Sequence, residues 1–442
     1  MIASPKRAHV FWWKDLERWI VPALQHSAKL PDGWSLVRVG DVVKQVTDKV
    51  KVEPDNEYKL AGVRWYGEGV FHRETVTGSN SSATYLMPLI SGSFIYNRLF
   101  AWKESFAVVP EELNSCLVSN EFPQFRVNSE LLLVRYLYLF FMCKSTIRAV
   151  NKASIGSAAV SRNRYKEEYF LNVQIPLPPM EIQDSIVNRW QTEHSEIVNA
   201  ENLLVSLKQR VNDCLHSVTV MEPCERKALA LSWDKLESWD VKSSRASAFK
   251  LANPTFKPLS KYAEDATELA RPRLEPEKDW PVYGVNNKEG VFFSDYQKGA
   301  DFNAPYKRIR KDWFFHNPTR SAVGSLGIVP EVPEDAITSP EYQVWRIRNG
   351  LLTGFAAIMI TTEYFIKLIQ FNRVGAVKQR LYVENLLSIP IPEIPEEFQR
   401  AVADEREKAL AAIAEARVKV ADAAIEVEAM ILGTKKVISG TN

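Results

Sequence analysis

The sequence predicts a mixed α/β (α+β) fold used twice: two globular copies of one domain, each running into a long helix of coiled-coil type. Three observations predict it. Residues 93–127 align without a gap to residues 313–347 at a constant offset of 220, with nine of 35 pairs identical, among them Asn97/Asn317, Ser105/Ser325, Arg126/Arg346 and Val109-Pro110-Glu111/Val329-Pro330-Glu331. Each copy then closes on a proline run, IPLPP at 175–179 and IPIPEIP at 389–395. Each run is followed by 37–38 residues without glycine or proline, at 181–218 and 396–432. The period is far too long for a solenoid, so it marks a duplicated domain.

Taken in order, the chain divides into an N-terminal segment 1–29, a first globular copy 30–180, a central helix 181–218, a linker 219–232, a second copy 233–395, and a C-terminal helix and tail 396–442. In the first copy, Gly92–Tyr96 and Phe106–Val109 are β-rich runs between turns, and Glu130–Cys143 is an apolar helix candidate. The second copy repeats the order with Trp313–His316, Leu326–Val329 and a helix over Leu351–Leu368. Upstream, VRWYGEGVF (63–71) faces VNNKEGVF (285–292); downstream, each copy has a small-residue, basic stretch around Gly156 and Gly375. Proline forces its predecessor into extended backbone and cannot continue a helix, so the two proline runs are extended exits.

The helices after those exits carry apolar stripes. In the first, Trp190, Ile197, Ala200, Leu204, Leu207, Val211, Cys214 and Val218 fall at alternating three/four spacing, interrupted by Glu193. In the second, Ala409, Ile413, Ala416, Val420, Ala423, Val427 and Met430 do the same. Such a stripe needs a covering helix. The two are expected to pair with each other as an antiparallel coiled coil relating the copies by a pseudo-two-fold axis; packing on the parent domain or against a second subunit is the competing expectation. At 1.5 Å per residue each would span roughly 55 Å, enough to separate two reading heads by the roughly 34 Å of one DNA turn.

Composition narrows the function. With 46% hydrophobic and 25% charged residues the chain is a folded one, and a net charge of +2 neither requires nor excludes nucleic acid. Four scattered cysteines and six scattered histidines give no metal spacing and point to a reducing compartment. The N-terminal stretch lacks an uninterrupted apolar run, no segment has 18 apolar residues without charge, and a cytoplasmic protein is expected. Phosphate loops, dinucleotide fingerprints, zinc-protease and nucleophile-elbow motifs are missing. Asn253-Pro254-Thr255-Phe256 has a threonine where an amino-methyltransferase tetrapeptide needs its second proline, and reads as a turn. No catalytic, cofactor-binding or metal-ligating residue is therefore assigned.

Basic residues cluster instead in the globular copies. Lys144, Arg148, Lys152, Arg162, Arg164 and Lys166 occur between 143 and 166 with no acidic residue, and Lys298, Lys307, Arg308, Arg310, Lys311 and Arg320 occur between 298 and 320 against two aspartates. Lys378, Gln379 and Arg380 follow Gly375. Helix 181–218 has six acidic residues against three basic ones. Phosphate contacts supply non-specific affinity and register, while Arg, Lys, Asn and Gln at base edges read sequence. These fifteen residues are the candidate DNA contacts; Gln379 and Arg380 stand as base readers or phosphate clamps. Asn97 and Asn317, being shared, are read as turn formers, with Gly156 and Gly375 as shared structural glycines. Loops that differ between the copies, 77–84 and 298–307, are the better candidates for readout.

At these residues the chain resembles the specificity (S) subunit of type I restriction–modification systems. Leu30-Pro31-Asp32-Gly33-Trp34 with Val39-Gly40-Asp41 is similar to the start of a target recognition domain. Tyr96-Asn97-Arg98 and His316-Asn317-Pro318 with Arg320 resemble the repeated aromatic-Asn element; the proline exits with Glu181/Gln183 and Glu397/Gln399 resemble the family's E-x-Q run into a helix. Two extra residues precede Gln399, the second copy offers only Trp239-Asp240 at its start, and residues 1–29 have no counterpart. The resemblance implies a non-catalytic subunit that reads an asymmetric bipartite double-stranded DNA target, one half per domain, in the major groove. It further implies docking of two modification (M) subunits that methylate adenine with S-adenosylmethionine, and of restriction (R) subunits that use ATP and Mg2+; those cofactors belong to the partners. A two-headed protein-interaction scaffold that does not touch DNA is the alternative, and a self-contained nuclease or methyltransferase has no site.

Overall fold

The computed structural model describes residues 30–154, 164–220, 230–235, 241–348, 350–375 and 377–437. The chain forms two compact units, one of Met1–Ser195 with Ala416–Asn442, the other of Glu196–Glu415. The two long helices are therefore each shared between units.

The first copy contains β1 (Ser35–Arg38), α1 (Val39–Val42), β2 (Val43–Gln45), β3 (Val50–Lys51), β4 (Glu57–Val63), β5 (Val70–Thr77), β6 (Tyr85–Pro88), β7 (Phe94–Tyr96), β8 (Phe106–Val108), β9 (Leu117–Val118) and β10 (Gln124–Val127). Helices α2 (Val134–Met142), α3 (Lys144–Ala153) and α4 (Glu167–Asn172) follow, then β11 (Gln174–Leu177) and the long α5 (Met180–Ser217). After α6 (Val241–Ala252), the second copy runs through β12 (Lys257–Pro258), β13 (Ala263–Asp265), β14 (Leu269–Ala270), β15 (Asp279–Asn286), β16 (Gly290–Lys298), β17 (Tyr306–Arg308), β18 (Trp313–His316), β19 (Leu326–Ile328), β20 (Ile337–Thr338) and β21 (Gln343–Ile347). It closes with α7 (Thr353–Met359), α8 (Glu363–Asn372), α9 (Val383–Leu387), β22 (Pro390–Ile391) and the long α10 (Glu396–Ile431).

The sheets repeat strand for strand. The first copy has sheets ordered β2-β10-β7-β8, β3-β6-β9-β4-β5 and β1-β11; adding eleven to every label gives the sheets of the second, β13-β21-β18-β19, β14-β17-β20-β15-β16 and β12-β22. Even the exceptions repeat. The β4–β9 and β15–β20 pairs are parallel among antiparallel neighbours, and the long hairpins β4–β5 and β15–β16 carry a register shift at Leu60/Ala61 and at Val282/Tyr283. A bulge kept at one position in both copies bends the same strand the same way.

The cores are aromatic and homologous. Phe94, Tyr96, Phe106, Phe125, Phe141 and Phe170 pack together in the first copy, with the Phe125 and Phe170 rings 4.4 Å apart. In the second, Phe314 and Trp345 stack at 4.6 Å beside Tyr364 and Phe365. Each such ring removes a large apolar area from water, at roughly 25 cal/mol per Å².

Two helix expectations need adjustment. The first starts at Val134 because Asn128 takes the N–H of Glu130 on its side chain and those of Leu131 and Leu132 on its carbonyl, making a turn. The expected helix 351–368 is two helices, α7 and α8, bent by 77°. Thr362 makes the break: its hydroxyl accepts the Phe365 N–H at 3.2 Å and donates to the Met359 carbonyl at 2.7 Å, an N-cap in mid-pattern. The first copy breaks likewise at Cys143, between α2 and α3. Among the described residues, no single helix is long and apolar enough to cross a membrane.

Candidate nucleic-acid interface

Lys144, Arg148 and Lys152 lie one turn apart along α3 and are exposed. At i, i+4, i+8 they share one helix face, about 6 Å apart in rise. None has a carboxylate partner among the described residues. At the start of the same helix, Glu428 accepts the N–H groups of Lys144 and Ser145 at 3.2 and 3.0 Å, filling the orphan donors there. The equivalent face of α8 differs: Glu363 pairs with Lys367 at 3.2 Å and Phe371 is buried.

Arg164, Lys166 and Arg98 of the first copy are engaged instead. Arg164 forks onto Glu121 (2.8 and 3.3 Å), and Lys166 lies 3.8 Å from Glu168. Arg98 is clamped to Glu167. Gly156 and Arg162 lie outside the described residues.

In the second copy Lys298 pairs with Asp279 at 3.3 Å, Arg310 with Glu268 at 2.8 Å and Lys311 with Glu331 at 2.6 Å. Lys307 is half-buried and donates to the Tyr342 carbonyl at 2.7 Å; burial lowers its pKa, outweighing nearby carboxylates. Arg308 lies 5.9 Å from the centre of the Trp280 ring. Arg320 is exposed, with no carboxylate partner among the described residues, and its N–H is held by Asn317 at 3.3 Å.

The segment after α8 turns back on itself: Val374 and Arg380 exchange both backbone hydrogen bonds, at 2.8 and 2.7 Å. Gly375 has φ +107°, and a Cβ there would meet the Lys378 carbonyl at 2.8 Å, so glycine is required. Lys378 is exposed; Gln379 points its side-chain carbonyl to Lys242 and to Arg373, 3.0 Å away; Arg380 reaches Glu341 at 3.5 Å. The guanidinium of Arg373, its pKa lowered by burial, has an Nε without a partner among the described residues.

Asn97 and Asn317 act alike. Asn97 accepts the Leu99 N–H at 3.0 Å, Asn317 that of Thr319 at 3.0 Å, and both donate their own N–H to Ser105 or Ser325 at 3.0 Å. In the stripes Leu207, Val211, Ile413 and Val427 are buried, and Trp190, Ile197, Leu204 and Val420 half-buried. Nothing in the spacing singles out Trp65 and Tyr66, exposed at the β4–β5 tip with the Lys103 ammonium 3.7 Å over the Trp65 ring. Among the described residues, no three His, Cys, Asp or Glu side chains are placed to share a metal ion.

Residues 31–204 match the type I restriction modification DNA specificity domain family. No curated protein matches the chain. Among solved structures, the HsdS subunit from Thermoanaerobacter tengcongensis is 15% identical, with 92% of this chain and 97% of that one covered and a TM-score of 0.34. A chain from a structure describing complex assembly and conformational transition of the type I R-M system is 15% identical, with 91% and 98% covered and a TM-score of 0.35. The S subunit of a type I restriction-modification system from M. genitalium is 11% identical, with 95% and 100% covered and a TM-score of 0.43. The family match falls on the first copy and the central helix as far as residue 204, and the second copy repeats the first strand for strand. Residues 31–204 thus carry a type I restriction modification DNA specificity domain, and the second copy repeats its fold.

Proposed function

We propose that the chain reads an asymmetric, bipartite double-stranded DNA target, one half per globular copy, and docks two adenine-methylating M subunits and, through them, R subunits. The observation that carries this is a fold repeated to the last strand while the cations on it are not. The first copy has the ladder on α3, without carboxylate partners among the described residues; the second has Arg320 and, at a glycine-dependent turn, Lys378. A shared frame with different cation layouts suits two half-sites of different sequence. The unpaired cations are proposed to grip phosphates. The ion-paired ones, Arg380 on Glu341 among them, become available only by leaving a carboxylate, and Gln379 and Arg380 are proposed as base readers or phosphate clamps.

The long helices are proposed to set the distance between half-sites. Arg189 pairs with Glu426 at 3.1 Å in one unit and Arg210 with Glu405 at 2.7 Å in the other. From the first pair to the second, α5 advances 21 residues (189 to 210) and α10 retreats 21 (426 to 405), the register of an antiparallel pair. S-adenosylmethionine, ATP and Mg2+ are assigned to the partners.

Methylome sequencing of cells with and without the chain tests the proposal. The expected result is one adenine-methylated motif with two unlike halves at fixed spacing, present only with the chain and its M subunit. Methyl transfer by the purified chain alone would overturn it.

A further inference from the structure

The first copy is fastened to the long helices at two points, and the second copy at the same two points with the helices exchanged. Gln183, on the first turn of α5, is fully buried. Its Oε1 accepts the N–H of Leu133, the N-cap of α2, at 2.9 Å; its Nε2 donates to the carbonyls of Leu131 (2.8 Å) and of Pro178 (3.0 Å), five residues back. Gln399, buried on the first turn of α10, accepts the N–H of Leu352, the N-cap of α7, at 2.9 Å and donates to Ile394, also five residues back, at 2.9 Å. Neither N-cap residue uses its own side chain. The glutamine does from another helix what the third residue of a capping box does within one.

The second fastening comes from the far ends. Glu428 near the end of α10 accepts the N–H of Ser145, second residue of α3, at 3.0 Å. Asn212 near the end of α5 accepts the N–H of Tyr364, second residue of α8, at 3.0 Å. The interval from glutamine to cap is 29 residues in both helices, 183 to 212 and 399 to 428. Each copy is thus held by the start of its own helix and the end of the other's.

We infer that Gln183, Gln399, Asn212 and Glu428 are positioning residues that fix the angle of each reading head on the helices, and so fix the spacer length the protein accepts. The inference rests on the DNA-reading function proposed above. None of the four belongs to the candidate DNA contacts, so the half-site sequences should be indifferent to them. A head held at one point in place of two can swivel, and a swivelling head meets its half-site at more than one spacing.

The test is adenine methylation in cells carrying the full chain with its M subunit and a plasmid library in which the two half-sites, taken from the wild-type methylome, are separated by every spacer length around the natural one. Wild type is expected to methylate one length. Gln183→Leu and Glu428→Ala should each keep both half-sites while raising methylation at one base pair longer or shorter on the order of tenfold, the scale of discrimination set by one good contact. Glu428→Gln keeps the acceptor and should restore the single length. Should Gln183→Leu abolish folding, Glu428→Ala, which is less buried, carries the test. Weaker methylation at an unchanged single length in both variants would overturn the inference, as a merely structural role predicts. A wild-type chain that directs no bipartite motif would overturn the function and the inference with it.

Discussion

His316 occupies the place of Tyr96 at the end of the equivalent strand, fully buried, its Nε2 2.9 Å from the Leu381 carbonyl. A carbonyl only accepts, so Nε2 carries the proton and donates; Nδ1 has no partner among the described residues. Burial, helped by the charge of Lys307 and opposed by the Leu381 hydrogen bond, lowers the pKa from 6.5 to about 4. The unfolded chain takes up a proton as pH falls through about 6.5 while the folded chain refuses it until about 4. The stability this residue contributes is therefore complete above 6.5 and drains away as pH falls toward 4. At pH 5 the loss should be about 2 kcal/mol relative to pH 7.5. His316→Phe should flatten that part of the pH dependence, measured as the difference in urea midpoints between the two pH values. Sequence made Asn97 and Asn317 legible as turn formers, because an Asx turn closes within three residues. It left the fate of each cation illegible, since Glu121 and Arg164, or Glu268 and Arg310, meet only once the fold brings distant segments together.

At the scale of elements, α3 carries the phosphate-binding surface proposed above. Its three cations stand on one face, and their charge is not spent on carboxylates among the described residues. Replacing Lys144, Arg148 and Lys152 together by glutamine should lower the slope of log K against log salt by about 2.7, at 0.9 per phosphate contact, while leaving the recognised sequence unchanged. Thermal stability should shift little, because all three side chains are exposed; salt titration of DNA binding by the chain with its M subunits measures the effect. An unchanged slope would remove α3 from the interface. The long helices were legible to within a residue at each end, as proline bounds and an unbroken apolar stripe leave little choice. The break between α7 and α8 was not. Neither proline nor glycine marks it, and Thr362 becomes a cap only because its hydroxyl finds Phe365 and Met359 in the folded chain.

For the whole molecule, the offset of 220 made the duplication legible, yet alignment identity is too thin to show that both parallel strand pairs and both register shifts are kept. What the fold keeps is what determines how a copy is mounted; what it varies is what a copy presents. That division predicts the response to a change in the helices alone. Seven residues inserted in register into both α5 and α10, between the ion pairs Arg189–Glu426 and Arg210–Glu405, preserve the stripe and add about 10 Å of helix. At 3.4 Å per base pair this is about three base pairs. The methylome of cells carrying the lengthened chain should show both original half-sites with a spacer longer by about three base pairs, because heads and fastenings are untouched. An unchanged spacer would mean that the helices do not set the distance, and loss of either half-site would mean that the heads do not read independently of it.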